Sequence, residues 1–197
     1  MIKWKMIDDM RVSVNNLRAI AEYANHGRVV VFDTETTGGT RDDEICQIAA
    51  AEYVNGELRR TMNVYLRPTC EMNYWAEQVH GLSMDFLQLN GIEPTQATAQ
   101  FFDFLGSDVM LVAHNNRFDM GMLRQECRKF DIPFEPVNVE TCDTLALSRF
   151  VHPEFPSHKL CSLLEPLGVK GVNSHDALDD TLACAGVFFK LVSEFNI

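Results

Sequence analysis

Residues 29–38 read VVVFDTETTG, four apolar residues running straight into Asp33, with a second carboxylate, Glu35, two positions on. An unbroken apolar run of this length reads as a strand buried on both faces, the kind found inside an α/β sheet. Side chains alternate faces along a strand, so residues i and i+2 share one, and Asp33 and Glu35 are expected to converge at the buried strand's end. Two carboxylates held together repel and drive one pKa up unless a cation sits between them. Few, hard oxygen ligands suit Mg²⁺ or Mn²⁺, which keep several waters and accept phosphate oxygens. The competing reading is a turn in which Asp33 caps local backbone and Glu35 is solvated, and a bare Asp-x-Glu does not decide between the two.

The chain has 197 residues, 46% hydrophobic and 23% charged, which fits one globular domain with a proper core. No apolar run approaches the roughly 18 residues of a membrane helix, and the N-terminus lacks the apolar core of a secretory signal, so a cytoplasmic location is expected. The cysteines Cys46, Cys70, Cys127, Cys142, Cys161 and Cys184 form no CxxC pair and read as reduced, mostly buried thiols. The net charge is −11. Such a surface repels nucleic acid at long range and argues against a high-affinity DNA clamp, but not against an enzyme that grips only a strand end.

Ser13 is placed to cap a leading helix with Val14, Leu17, Ala21 and Ala24 at helical spacing, giving an N-terminal helical extension over 1–27 and a main domain over 28–197. Strands are expected near 28–33, on either side of Asn55-Gly56, at 109–113 and near 137–142. Asn-Gly between strand-like runs is the strongest short hairpin signal. A Gly-rich loop follows the first strand. Helices are expected over 73–105 with breaks at Gly81 and Pro94, over 116–130, near 143–150 and 157–167, and from 176 onward.

Two further acidic segments join the first. In HNNRFDMGML, residues 114–123, Asp119 falls in the first turn of a helix leaving the 109–113 strand. A helix-dipole complement explains it as readily as a ligand does. In HDALDD, residues 175–180, helical geometry puts Asp180 in line with Cys184, Val187 and Leu191 on an inward face. Asp179 heads Ala183, Gly186 and Lys190 on an outward one, and Asp176 sits at the cap. His175 precedes the helix. Taken singly it reads as a polar surface residue, as do His26, His80, His114, His152 and His158.

Together these segments make the chain resemble the DEDDh branch of the DnaQ-like 3′-5′ exonucleases, the proofreading epsilon subunits of bacterial replicative polymerases in particular. Asp33 and Glu35 match the family's first motif; His114, Asn115 and Asp119 the second; His175 and Asp180 the third. VHGL at 79–82 and DTLALSR at 143–149 are smaller echoes, and the likeness covers about 28–195.

The resemblance implies an α/β, RNase H-like fold: a central five-stranded mixed sheet with helices on both faces and the acids at one sheet edge. It implies a catalytic set of Asp33, Glu35, Asp119, His175 and Asp180, the four acids holding two Mg²⁺ (or Mn²⁺) and His175 acting as general base. Two ions about 3.5–4 Å apart would stabilise an in-line phosphodiester displacement. The implied partner is nucleic acid with a free 3′ end, DNA ahead of RNA, together with a polymerase or other replication or repair protein. For the strand end, the backbone N–H groups of a loop through Thr34, Thr36 and Thr37 are expected to meet the 3′-hydroxyl. His80, Leu82 and Phe118 would wedge or stack terminal bases, and Asn115 would bond a phosphate. Alternatives are an exoribonuclease, a non-catalytic nucleic-acid adapter and a small-molecule phosphohydrolase with the same ligands. Arg59, Arg60, Arg67, Arg124, Arg128, Lys129 and Lys159 define no track by sequence alone.

Overall fold

A computed structural model describes residues 14–133, 138–172 and 174–194; Ser13 lies outside them. The elements are α1 (Val14–His26), β1 (Arg28–Thr36), β2 (Ile45–Val54), β3 (Glu57–Tyr65), α2 (Tyr74–His80), α3 (Met84–Asn90), α4 (Pro94–Leu105), β4 (Val109–Ala113), α5 (Asn116–Lys129), β5 (Val139–Asp143), α6 (Thr144–Val151), α7 (Leu160–Leu164) and α8 (Ala177–Ser193). The strands form one mixed sheet in the order β3-β2-β1-β4-β5. β1 runs antiparallel to β2 and parallel to β4, and β4 runs parallel to β5. This is the five-stranded α/β architecture expected of the sequence.

The alternation of β1 decides what lies on each side. Val29 and Val31 enter a cluster with Leu17, Ile20 and Ala24 of α1 and with Cys184, Val187, Phe188 and Leu191 of α8. Val30 and Phe32 point the other way, into a cluster with Phe101 of α4 and Met120 and Leu123 of α5. A strand buried on both faces needs apolar side chains at every position, hence the unbroken run. Asn55 and Gly56, at φ 52° and 77°, make the tight turn between β2 and β3. Gly81, at φ 73°, ends α2, and Pro94 opens α4 at its first turn.

Three expectations need correction. Residues 34–36 belong to β1 and not to a loop, because Thr34, Glu35 and Thr36 pair with Ile48, Gln47 and Ile45 of β2. The acids gather at the end of β1, the central strand, and not at a sheet edge. Ala183 is buried and Gly186 abuts Val169, so the α8 face expected to be outward is covered. The cause is that α8 packs against β1 and β2 on one side and α7 on the other, which leaves little of it to solvent.

Glu126 of α5 is fully buried. Its Oε2 accepts the Ile45 N–H at 3.3 Å, while Oε1 has no hydrogen-bond partner among the described residues. Burial pushes its pKa up to about 7. A raised folded-state pKa means the native protein binds the proton more tightly. Glu126 therefore costs nothing below the ordinary value of 4.5, and its penalty grows as pH rises to about 7. The full difference corresponds to about 3 kcal/mol. Glu126→Gln is expected to match the wild-type melting temperature at pH 5 and exceed it at pH 8; equal melting temperatures at both values would contradict this placement.

Candidate active site

Asp33 and Glu35, two residues apart on β1, share the face on which α8 packs. Asp180, in the first turn of α8, is buried beneath that face. One carboxylate oxygen from each of these three residues lies within 4.8 Å of the others. An ion at about 2.1 Å from each oxygen needs them no more than about 4.2 Å apart, so the set accommodates one with small side-chain adjustment. The donors are all hard carboxylate oxygens, a chemistry suited to Mg²⁺ or Mn²⁺.

Asp119 reaches the same place from the opposite face and stands outside this group of three. Thr34 points toward α5, and both its N–H (3.1 Å) and its hydroxyl (2.8 Å) donate to Asp119 Oδ1. Asp119 is nonetheless close to Asp33. Burial is the largest cause of Asp33's strongly raised pKa, and the charge of Asp119 is next, ahead of Glu35 and Asp180. Burial likewise lifts Glu35 to about 8, with Asp180 and Asp119 adding to it, and lifts Asp119 to about 7 against the Thr34 bonds. Four acids crowded this way are costly without a cation.

The start of α8 is fastened by the expected cap, Asp176, and by Gln47, which the sequence does not single out. Asp176 Oδ1 caps the helix through the N–H groups of Leu178 and Asp179. Gln47, fully buried on β2 opposite Glu35, donates to Asp176 Oδ2 (3.1 Å) and Asn63 Oδ1 (2.9 Å), and its Oε1 accepts the Ala177 N–H (3.3 Å). A buried amide with every bond made fixes α8 against the sheet, and with it Asp180 relative to Glu35. Gln47→Leu is expected to cost about 1–3 kcal/mol by leaving these groups unpaired. Denaturant midpoints check this, and an unchanged midpoint would show that α8 is held by other contacts.

His175 sits directly before the cap, exposed, with φ 58°. It is near enough to His80 for its charge to help depress that residue's pKa, behind the larger effect of burial. Both ring nitrogens of His80 are engaged: Nδ1 accepts the Leu82 N–H (3.0 Å), so Nε2 carries the proton and faces the Thr36 carbonyl (3.2 Å). His114 is bonded to the Thr144 hydroxyl at 2.8 Å, and burial pushes its pKa down to about 4, so it is a neutral structural group.

A cavity of about 390 Å³ opens beside Glu35, between Trp75, Val79 and His80 of α2 and Phe118 of α5. Trp75 is 74% exposed and Phe118 40%. Of the expected strand-end contacts, Thr34, Thr36, His80 and Phe118 line this cavity, whereas Thr37 and Leu82 do not. The N–H of Thr34 is held by Asp119 and that of Thr37 by the Glu44 carbonyl, so neither amide is open to a 3′-hydroxyl. Asn115, at φ 63°, lines a neighbouring cavity of about 630 Å³ with Arg41 and Arg117. Trp75 was missed by sequence reasoning because a lone tryptophan gives no spacing signal.

A mixed sheet with acids at the C-terminal end of its central strand, beside an open cleft, is an RNase H-like arrangement whose carboxylates could hold a divalent cation. The family model described as RNase_T, exonuclease, matches residues 30–188. The chain therefore belongs to this exonuclease family, among the DnaQ-like 3′-5′ exonucleases. It is similar to the 3′-5′ exonuclease DinG of Bacillus subtilis, at 32% identity over 176 residues, covering 87% of this chain and 18% of that protein. DNA polymerase III PolC-type from the same organism is 32% identical over 166 residues, covering 84% of this chain and 11% of that one. The chain thus spans less than a fifth of the length of either relative. Among solved structures, Exonuclease I from Methylocaldum szegediense has a TM-score of 0.73 at 20% identity over 86% of this chain and 41% of its own. E. coli Exonuclease I in complex with a dT13 oligonucleotide has a TM-score of 0.73 at 20% identity, covering 85% and 41%. At such identities the structural likeness speaks for the fold alone.

Proposed function

We propose that this chain is a divalent-metal-dependent 3′-5′ exonuclease that releases nucleoside 5′-monophosphates from the 3′ end of DNA, preferring single-stranded or frayed ends. The observation that carries this reading is the meeting of Asp33, Glu35 and Asp180 within 4.8 Å, with Asp119 beside them. These acids would hold two Mg²⁺ or Mn²⁺, which when bound supply an activated water and charge neutralisation at the leaving 3′-oxygen. Thr34 keeps Asp119 turned toward Asp33. Gln47 and Asp176 hold α8 so that Asp180 faces Glu35.

In this reading His175 is the general base, an exposed imidazole directly before the helix that carries Asp180. Trp75 and Phe118 are the walls against which terminal bases stack, and such stacking tolerates any sequence because every base has a π-face. A DNA substrate is supported by the names of the relatives and by the oligonucleotides bound to the structural neighbours. A replication or repair setting, with a polymerase as partner, is the reading that PolC-type relatives favour.

The test is a time course on 5′-labelled and 3′-labelled single-stranded DNA and RNA with Mg²⁺, Mn²⁺ or chelator. A ladder descending from the 5′ label on DNA, abolished by chelator, is expected. Internal cuts alone would mean an endonuclease, and faster decay of RNA would reassign the substrate.

A further inference from the structure

On a chain of net charge −11, α5 presents positive charge to solvent. The acids of α5, Asp119 and Glu126, are both buried, whereas Arg117 and Arg128 are exposed. Arg117, Gly121, Arg124 and Arg128 follow one another at spacings of 4, 3 and 4 and so lie on a single helix face. Several other cations are held in ion pairs. Arg28 and Arg60 hold Glu52, Arg67 holds Glu93, and Lys129 holds the buried Glu44.

This face begins at the candidate active site. The cavity beside Glu35 and the larger one beyond it share Gly39 and Phe118, so the two form one groove that Phe118 divides. Arg41, from the loop after β1, lines the second cavity together with Arg117. Gly121 forms part of its floor, and a Cβ added there would meet nothing within 4 Å. The groove is lined by Arg41 and Arg117 and runs from beside Glu35 to α5.

We infer that the outer face of α5 is a track for single-stranded DNA. The strand 5′ to the scissile linkage passes over Phe118 and lays its phosphates on Arg41, Arg117 and Arg128. From Arg117 to Arg128 is about 16 Å along the helix, which a stacked strand covers in about five nucleotides. Guanidinium groups suit this task because their planar fork matches a phosphate. An acidic protein that holds DNA by a short local strip of this kind keeps its grip near the end being trimmed. The inference rests on the exonuclease reading for its strand polarity.

The experiment measures binding of a fluorescent twelve-nucleotide oligothymidylate to the full chain by anisotropy in chelator, across a salt series. It is paired with hydrolysis of thymidine 5′-monophosphate p-nitrophenyl ester in Mn²⁺, a substrate too short to reach the track. Each phosphate contact contributes about 0.7 to the slope of log affinity against log salt on single strands, so Arg117→Ala/Arg128→Ala is expected to lower that slope by about 1.4. Gly121→Glu is expected to weaken binding most at low salt. Arg59→Ala, which removes a charge on the far strand β3, is the control and should bind as wild type. All variants should hydrolyse the ester at the wild-type rate, which also reports that they fold. Wild-type affinity and slope in the α5 variants, or an equal loss in Arg59→Ala, would overturn the track. A wild-type protein that hydrolyses neither oligonucleotide nor ester would instead overturn the exonuclease reading, and the binding series would still decide the track.

Discussion

Asp33→Asn is expected to reduce hydrolysis of oligonucleotides to background while making the metal-free protein more heat-stable. The two effects have one cause. Asp33 sits among Glu35, Asp119 and Asp180, and burial together with these like charges holds its pKa far above the ordinary carboxylate range. An amide of the same shape removes the repulsion and removes a metal ligand with it. The pH dependence follows from the same groups. Glu35 has a folded-state pKa of about 8 against an ordinary 4.5, so the folded protein binds that proton more tightly. The metal-free wild type should then lose stability as pH rises from about 4.5 to 8, and the loss should be smaller in Asp33→Asn. Mn²⁺ should raise the wild-type melting temperature at pH 8 and leave that of Asp33→Asn nearly unchanged. Asp180→Asn should behave alike in turnover, since Asp180 is the third member of the oxygen triangle. Melting curves with and without Mn²⁺, beside turnover rates, check all of this, and full activity in either variant would remove the metal assignment.

His175→Ala is expected to lower turnover by roughly two to four powers of ten, the usual range for losing a general base, with little change in KM. His80, the other histidine at the cleft, is no rival for the role. Both of its ring nitrogens are engaged, one by the Leu82 N–H and the other at the Thr36 carbonyl. Among the described residues nothing bonds the His175 ring, and it stands exposed just before the helix that carries Asp180. A second readout separates chemistry from structure: His175→Ala should keep the wild-type melting temperature and its rise with Mn²⁺ while losing turnover, and His80→Ala should keep turnover. A His175→Ala enzyme of wild-type rate, or one whose lost turnover is matched by a lost fold, would overturn this role.

The parts of the site that obey a period were open to sequence reasoning. Strand alternation put Asp33 and Glu35 on one face, and helical spacing separated buried Asp180 from exposed Asp179 and assigned Asp176 to the cap. What depends on contacts distant in sequence was not. Gln47 meets Asp176 across 129 positions. Thr34 meets Asp119 across 85, and no local pattern announces either bond. The engagement of the Thr34 and Thr37 N–H groups was hidden for a related reason. The motif was expected to leave the strand after Asp33, but pairing with β2 carries β1 on to Thr36, while the Thr34 N–H turns to Asp119. The basic residues were visible as letters, yet only the packing tells which are tied into ion pairs and that Arg41 and Arg117 line the groove.

The central claim is that Asp33, Glu35 and Asp180 hold a divalent cation used in hydrolysis. Crystals of the active protein soaked in Mn²⁺ and measured at the manganese absorption edge test it most directly. The strongest anomalous peak should lie among those three carboxylates and disappear in Asp33→Asn crystals treated the same way. Active wild-type crystals with no peak there, or with manganese bound instead beside Glu44 and Glu126, would contradict the account.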